Sequence, residues 1–154
     1  MGILKKVKID DKDLMIIRIL YMDARKHLAE LSDITGISIT AVRNRLSKLI
    51  RHGIITGFHA ELDFNKLGYG IHALTGVRIE PRFRDEIIRT LLANKRVLSL
   101  YEVTGDFDLL VEVIARDIID LREFLTTDMY EIPGIKKTNT MIILKRHRKY
   151  DLFT

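Results

Sequence analysis

Residues 34–60 carry basic and amide side chains but no acidic residue. Lysine and arginine neutralise DNA phosphates, and asparagine and arginine can hydrogen-bond the base edges exposed in the major groove. Because no carboxylate in this stretch repels phosphate, we expect it to contact nucleic acid. The candidate contacts are Ser38, Thr40, Arg43, Asn44, Arg45, Lys48 and Arg51.

Residues 97–115 have the opposite composition, with acidic side chains and no basic ones. Within them, Thr104-Gly105-Asp106 is predicted to form a tight turn between two strands. Backbone N–H groups exposed at such a turn can take a carboxylate, while Asp106 and Asp108 favour a cation, such as an ammonium group or a basic side chain. The alternative is an ordinary hairpin turn in which the aspartates bond backbone amides.

Two short helices are predicted ahead of the basic residues. Asp10 can cap the first, with Asp13 as its capping-box partner. The apolar residues that follow it at helical spacing are Leu14, Ile17, Leu20 and Tyr21. The second helix is expected over residues 26–34, with its inward side formed by Leu28, Leu31 and Ile34. Gly36 then suits the left-handed residue at which a helix commonly ends.

A third helix, which Ser38 can cap, completes the outline of a helix-turn-helix. At about 100° per residue, its apolar residues fit one stripe about 100° wide; they are Ile39, Val42, Leu46, Leu49 and Ile50. Opposite the stripe, and predicted to reach bases or backbone, lie Asn44, Lys48 and Arg51. The residues expected to contact phosphates are Ser38, Thr40, Arg43 and Arg45. An ordinary amphipathic surface helix is the alternative interpretation.

The chain is predicted to divide into two domains. Residues 54–63 have the pattern of a short hairpin or wing, and glycines at 68 and 70 are typical of a linker. We therefore expect a helix-turn-helix domain with a short wing over residues 1–65 and a second domain over residues 66–154.

The second domain is predicted to have the order βαββαβ, which makes the protein α+β. Strands are expected over 71–79, 97–103, 107–115 and 135–144, with one helix after Pro81 and another capped by Asp117. This is the ferredoxin-like fold. Both helices would cover one face of the antiparallel sheet, so we expect a second copy of the chain to cover the other face in a dimer.

Composition excludes several other classes of protein. The 154-residue chain has no cysteine, which excludes thiol catalysis and cysteine-ligated zinc or iron–sulfur sites. Its histidines form no i, i+4 pair for zinc, and it has no glycine-rich phosphate loop. No apolar run approaches the ~18 residues of a membrane helix. We therefore expect a cytoplasmic protein that is not an enzyme and needs no metal, cofactor or membrane.

Together these motifs resemble the Lrp/AsnC family, the leucine-responsive or feast/famine transcription regulators. The helix-turn-helix is similar to the family's at Leu28-Ala29-Glu30-Leu31, Gly36-Ile37-Ser38 and Gly53-Ile54-Ile55. The run Val103-Thr104-Gly105-Asp106-Phe107-Asp108-Leu109 is similar to the turn that marks the family's effector domain. The resemblance covers nearly the whole chain.

The resemblance implies a sequence-specific transcriptional regulator that binds double-stranded DNA. It also implies that an amino acid or related metabolite modulates DNA binding or assembly, and that dimers assemble further, often four to an octamer. The effector would bind near the acidic turn, where the candidate residues are Tyr101, Thr104, Gly105, Asp106, Phe107, Asp108, Thr138 and Thr140.

Two other functions are compatible with the same architecture. The first is a sirohaem-decarboxylase-like enzyme, but that branch has a strand pair rich in histidine and tyrosine, whereas residues 101–110 here are acidic and lack histidine. An acidic pocket would repel a polycarboxylate tetrapyrrole. The second alternative is a DNA-organising protein that has no small-molecule effector.

Overall fold

The computed structural model describes residues 7–149, which form two compact units. The described residues up to Glu61, together with 147–149, form the first unit, and Leu62–Arg146 form the second. Each unit has its own hydrophobic core. None of the helices in the described residues is long and apolar enough to cross a membrane.

The first unit is a bundle of three helices: α1 (Asp11–Met22), α2 (Leu28–Thr35) and α3 (Ile39–Arg51). Its core consists of Ile16, Leu20, Leu31, Val42 and Leu49. Burial of these aliphatic side chains supplies the main stabilisation of so small a unit. The bundle fixes the direction in which the remaining sides of α3 point.

The ends of the three helices follow the sequence prediction. The Asp10 carboxylate accepts the N–H of Asp13 at 2.9 Å, and the Asp13 carboxylate accepts the N–H of Asp10 at 3.3 Å, so the capping box of α1 is formed. Gly36 ends α2 with a φ of 68°, a left-handed conformation that glycine adopts without strain. Ser38 caps α3 by accepting the N–H of Ala41. The predicted helix-turn-helix is therefore confirmed.

Several apolar residues that were predicted to face inward are exposed instead. Ile34 is exposed on α2, where Thr35 is buried in its place, and Tyr21 is exposed on α1. On α3 the buried side is centred on Val42 and Leu49, which lie at one edge of the predicted stripe. Periodicity alone locates an apolar stripe but does not show how far its centre is shifted by packing against polar neighbours.

The predicted wing has no strand pairing. Gly53 adopts a φ of 67° and turns the chain out of α3, and the N–H groups of Ile54 and Ile55 both donate to the carbonyl of Leu49. Residues 56–63, all of them described, then continue without helix or strand. The hairpin expected over 54–63 is thus an irregular extension that follows α3.

The second unit is a four-stranded antiparallel sheet with two helices. Its elements are β1 (Ile71–Ile79), α4 (Arg84–Ala93), β2 (Val97–Glu102), β3 (Leu109–Ala115), α5 (Ile118–Glu123) and β4 (Ile135–Ile142). The strand order is β2-β3-β1-β4, which is that of the predicted ferredoxin-like fold. A short turn at Pro81–Phe83 leads into α4, and α5 widens into a π-helical segment over Phe124–Met129.

The two faces of this sheet have different environments. Alternate residues of β1 and β3, such as Val77 and its partner Leu109, join the helices in the buried core. The opposite face, called here the open face, includes the half-buried Leu74 and Leu110 and the exposed Tyr101 and Met141. This face therefore presents apolar side chains that no helix of the unit covers.

Candidate nucleic-acid interface and acidic turn

The exposed side of α3 forms one continuous surface, called here the outward face. It combines basic, amide and hydroxyl side chains with two isoleucines and no carboxylate; its members are Ile39, Thr40, Arg43, Asn44, Ser47, Ile50 and Arg51. Ser38, which caps the helix, is also exposed at its start. Residues spaced in this way share one side of a helix. The structure thus brings together five of the seven predicted DNA contacts.

Arg45 and Lys48, the other two candidates, point toward α1. The guanidinium Nη1 of Arg45 lies 2.7 Å from Asp10 Oδ2 and 2.9 Å from Asp13 Oδ1, and Lys48 Nζ lies 2.6 Å from Asp13 Oδ2. We call these four residues the ion-pair cluster. The predicted outward position of Lys48 is therefore wrong, and Arg45, which was predicted to contact phosphates, is paired with two carboxylates of α1 and its cap.

The physical reason for this placement is the burial of Asp13, whose residue is 0% exposed. A buried carboxylate is strongly unfavourable unless charged or polar groups satisfy it. Asp13 receives its charge compensation from Arg45 and Lys48, which lie three residues apart on one side of α3. The cluster therefore fixes the rotation of α3 against α1.

The cluster also shifts the pKa of Asp10, Asp13 and Arg45. Burial acts to raise the pKa of Asp13, but hydrogen bonds from Lys48 and Arg45 outweigh it, and the pKa lies below its ordinary value. The pKa of Asp10 is lowered chiefly by its hydrogen bond from Arg45, and the pKa of Arg45 is raised by the same bond. Asp10, Asp13 and Arg45 are therefore charged at neutral pH, and their ion pairs hold α3 against α1.

Sequence reasoning missed Ser47 as a member of the outward face, although it included Arg43 among the predicted DNA contacts. The omission of Ser47 follows from centring the buried stripe on the apolar residues alone. The available signal was the pair Asp10 and Asp13 at the start of α1, since these carboxylates require cations from elsewhere in the unit. The sequence alone did not show which cations of α3 would meet them.

The acidic turn is attached to the end of β1 by backbone-directed bonds. Arg78 donates from Nη2 and Nε to the carbonyl of Asp106, at 2.6 and 3.1 Å. The Asp108 carboxylate accepts the N–H of Ile79 at 2.9 Å, and the Asp108 N–H donates to the carbonyl of Val77 at 3.0 Å. For Asp108, the interpretation as an aspartate that bonds backbone amides is therefore the one observed.

The tip of the turn remains exposed. Thr104, Gly105 and Asp106 are exposed, and Gly105 has a φ of 116°, a conformation that L side chains rarely adopt. Within residues 7–149, no hydrogen-bond or ion-pair partner is found for the Asp106 carboxylate. Behind the tip, the ring of Phe107 lies against Gly76, where an added Cβ would come within 2.6 Å of it. The turn thus has a rigid base and an accessible charged tip.

Two of the predicted effector residues do not join this turn. Thr138 and Thr140 pair with Val77 and Thr75, so they share the face of the sheet that carries the core, and Thr140 Oγ1 lies 2.9 Å from Thr75 Oγ1. Tyr101 pairs with Leu110 and lies on the open face. The threonines and Tyr101 therefore lie on opposite faces of the sheet, and the expectation that they line one site is wrong for a single chain. The sequence does not give the strand register that decides the face of each residue.

The open face carries a polar network that sequence reasoning did not detect. His72 Nε2 lies 2.8 Å from Glu112 Oε1, and the Ser99 hydroxyl donates to Glu112 Oε2. Burial acts to raise the pKa of Glu112, but the bonds from Ser99 and His72 outweigh it and the pKa is lowered. This network spans three neighbouring strands amid the apolar side chains of the open face.

Comparisons with known proteins agree with both units. Residues 9–56 match a model of winged helix-turn-helix DNA-binding domains, and residues 72–152 match the model of the Lrp/AsnC ligand binding domain. The HTH-type transcriptional regulator FL11 of Pyrococcus horikoshii is 34% identical over 144 residues, which cover 94% of this chain and 95% of that protein.

Solved structures show the same architecture. The structure of AsnC from E. coli has a TM-score of 0.83 and 27% identity, covering 93% of this chain and 97% of that chain. A transcriptional regulator of Neisseria meningitidis, solved as a complex with L-Met, has a TM-score of 0.87 and 23% identity, covering 92% of this chain and 94% of that chain. The ligand-domain match and the similarity to FL11 establish that the chain belongs to the Lrp/AsnC family of HTH-type transcriptional regulators.

Proposed function

We propose that this regulator binds its operator through the outward face of α3. The observation that carries the proposal is the division of the cations on that helix, since Arg45 and Lys48 are held by Asp10 and Asp13. Arg43 and Arg51 are exposed beside Asn44 on a face without carboxylates. This is the composition that DNA phosphates and base edges require.

The residues of this face have different proposed roles. Ser38 and Thr40 lie in the first turn of α3, where hydroxyls and backbone N–H groups can take a phosphate. Asn44 has the amide geometry that pairs with an adenine edge, and Arg43 and Arg51 suit either phosphate or guanine. Arg45 and Lys48 are assigned to the ion-pair cluster and not to DNA.

A titration of DNA tests this proposal. A fragment from upstream of the protein's own gene is titrated at two salt concentrations, with competitor DNA present. We expect saturable, salt-sensitive binding, and we expect Arg51→Ala to lower the affinity about tenfold and to reduce the salt slope by about one. Arg89→Ala, at an exposed position of α4, is the matched control. Equal behaviour of the two variants would refute the assignment of the outward face.

For the second unit we propose binding of an amino acid or related small molecule at the acidic turn, without a resident metal or cofactor. Three features support it: the match to a ligand binding domain, the exposed residues Thr104 and Gly105, and the Asp106 carboxylate, which can take an ammonium group. The proposed contacts are limited to the turn and its base, because Thr138 and Thr140 lie on the core face.

Calorimetry tests the effector proposal. L-methionine is titrated first, because a relative of this fold was solved with it, and the other amino acids follow as a pool. We expect saturable heat and a change in DNA affinity, and we expect Gly105→Val to abolish both while DNA binding is retained. A flat screen would favour a DNA-organising protein without an effector.

We also propose that the protein acts in the cytoplasm as a dimer formed through the open face, and that four dimers join into an octamer. The apolar side chains Leu74, Leu110 and Met141 lie on this face, where a second copy would remove them from water. A dimer would also present two recognition helices to a site with two half-sites. Light scattering of Leu110→Asp is expected to show monomers, whereas the wild type gives dimers or larger assemblies.

A further inference from the structure

The outward face contains two large apolar side chains among its polar ones. Ile39 is 44% exposed and Ile50 is 46% exposed. Both were expected in the core, and neither contributes to it fully, because the buried side of α3 is centred on Val42 and Leu49. Exposed isoleucines on a face of cations and amides raise the question of which partner they contact.

We propose that Ile39 contacts the 5-methyl group of a thymine in the major groove and so determines part of the operator sequence. This inference rests on the proposed binding of DNA through the outward face. Thymine is the only one of the four bases that presents a methyl group in the major groove, and apolar side chains are its natural partners. The polar neighbours Thr40 and Arg43 would hold the helix against phosphates and bases on either side.

The position of Ile39 on the helix singles it out from Ile50. Ile39 is the first residue of α3, directly after the Ser38 cap. In helix-turn-helix proteins the N-terminal residues of the recognition helix approach the base edges. Ile50 comes 11 residues later, about 16 Å farther along the axis at 1.5 Å per residue. Ile39 is therefore placed to read a base, and Ile50 provides a matched control of the same type and exposure.

The charge of the surface favours DNA as the partner of Ile39. A protein partner would require an apolar patch with few charges at its centre. Instead, Arg43 and Asn44 lie within about one turn of Ile39, and the face has no carboxylate. Such a surface is complementary to the polyanionic backbone on both sides of the groove.

The experiment removes single methyl groups from the DNA. The full-length protein first selects duplexes from a random pool, and an enriched duplex is then made with deoxyuridine in place of each thymidine in turn. We expect one position in each half-site at which loss of the methyl weakens binding about fourfold, which corresponds to about 0.8 kcal/mol for one buried carbon. Replacements outside the half-sites are expected to have no effect.

Variants then identify the side chain that reads the methyl. With Ile39→Ala, the deoxyuridine duplex and its thymidine parent should bind equally well, whereas Ile50→Ala should keep the fourfold difference. Thermal unfolding of both variants checks that each is folded.

Two results would overturn the inference without affecting DNA binding itself. One is a wild-type protein that is indifferent to deoxyuridine at every position, and the other is an Ile39→Ala protein that still shows the fourfold difference. Failure to enrich any sequence from the random pool would overturn the proposed operator binding and the reading of thymine with it. Failure of the thymine contact and failure of operator binding are therefore distinguishable.

Discussion

The inward and outward sides of α3 carry similar basic side chains but use them differently. Arg45 and Lys48 bind the carboxylates of Asp10 and Asp13, whereas Arg43 and Arg51 are exposed beside Asn44. A count of charges along the helix does not separate these pairs. The pairs differ because Arg45 and Lys48 neutralise the buried Asp13 and so fix the helix, whereas Arg43 and Arg51 remain exposed to a binding partner.

Among the variants of α1 and α3, replacement of Asp13 should have the largest effect on the free energy of unfolding. Asp13→Ala leaves Arg45 and Lys48, each less than one third exposed, without the carboxylate that they share. We expect the free energy of unfolding to fall by about 2 kcal/mol, because both ion pairs and the capping-box bond are lost while the two partly exposed cations can turn toward solvent, measured by urea denaturation with circular dichroism.

The matched control for that experiment is Asp11→Ala. Asp11 lies on the same first turn of α1 but is exposed, so the free energy of unfolding should change by less than about 0.5 kcal/mol. Equal losses in the two variants would show that the cluster contributes nothing beyond a helix-end effect.

Lys48→Ala should show the next largest effect, and should do so on stability and not on DNA binding. Lys48 Nζ lies 2.6 Å from Asp13 Oδ2, but its side chain is 29% exposed, so solvent screens part of the interaction. We expect a loss of about 1 kcal/mol in the free energy of unfolding, with DNA affinity within twofold of the wild type at temperatures where the variant is folded. A tenfold loss of DNA affinity in a fully folded variant would return Lys48 to the interface.

Low pH should weaken the ion-pair cluster and so lower the free energy of unfolding. Because the pKa of Asp13 in the folded chain lies below its ordinary value of 3.8, folding favours the charged carboxylate. The resulting stabilisation is complete above the unfolded pKa and is lost as the pH falls through the folded pKa. The free energy of unfolding should therefore begin to decrease at about pH 5 and should continue to decrease as the pH falls below 3.8.

An Asp13→Asn variant isolates this contribution, since its stability should depend less steeply on pH. Asp120 in the second unit has its pKa lowered to about 2 by the N–H of Arg116 and the guanidinium of Arg96. Its contribution is lost as the pH falls from 3.8 through about 2, and it is common to both proteins. Identical pH slopes for the wild type and Asp13→Asn would contradict the assigned role of the cluster.

The smallest predicted effect belongs to Ser47, a polar member of the outward face that was not among the predicted DNA contacts. One hydroxyl that hydrogen-bonds a phosphate or base contributes about 0.6 kcal/mol, so Ser47→Ala should weaken DNA binding about threefold and leave stability unchanged. Fluorescence titration at low salt resolves such a difference. Unaltered affinity would restrict the interface to the residues nearer the start of α3.

Much of the architecture was predictable from local signals. The capping box of Asp10 and Asp13, the left-handed Gly36 and the Ser38 cap all act within a few residues, so the sequence displays them directly. The strands of the second unit were also recognisable, because period-two alternation and turn residues are local patterns.

The parts that escaped prediction depend on contacts between distant residues. The pairing of Asp13 with Arg45 and Lys48 spans more than 30 positions, and it rotates α3 so that Ile39 is exposed. The register that places Thr138 and Thr140 on the core face is likewise set by pairing with β1. The spacing of neighbouring residues determines neither the rotation of a helix nor the register of a strand.

The most direct test compares Arg43→Ala with Arg45→Ala, two arginines two positions apart on α3. For each variant we would measure DNA affinity by titration and the free energy of unfolding by urea denaturation. Arg43→Ala should lower DNA affinity about tenfold with stability unchanged, whereas Arg45→Ala should lower stability by about 1 kcal/mol with DNA affinity nearly unchanged. Similar losses of affinity in both variants, with neither destabilised, would contradict the division of α3 into a side that joins the ion-pair cluster and an outward face that binds DNA.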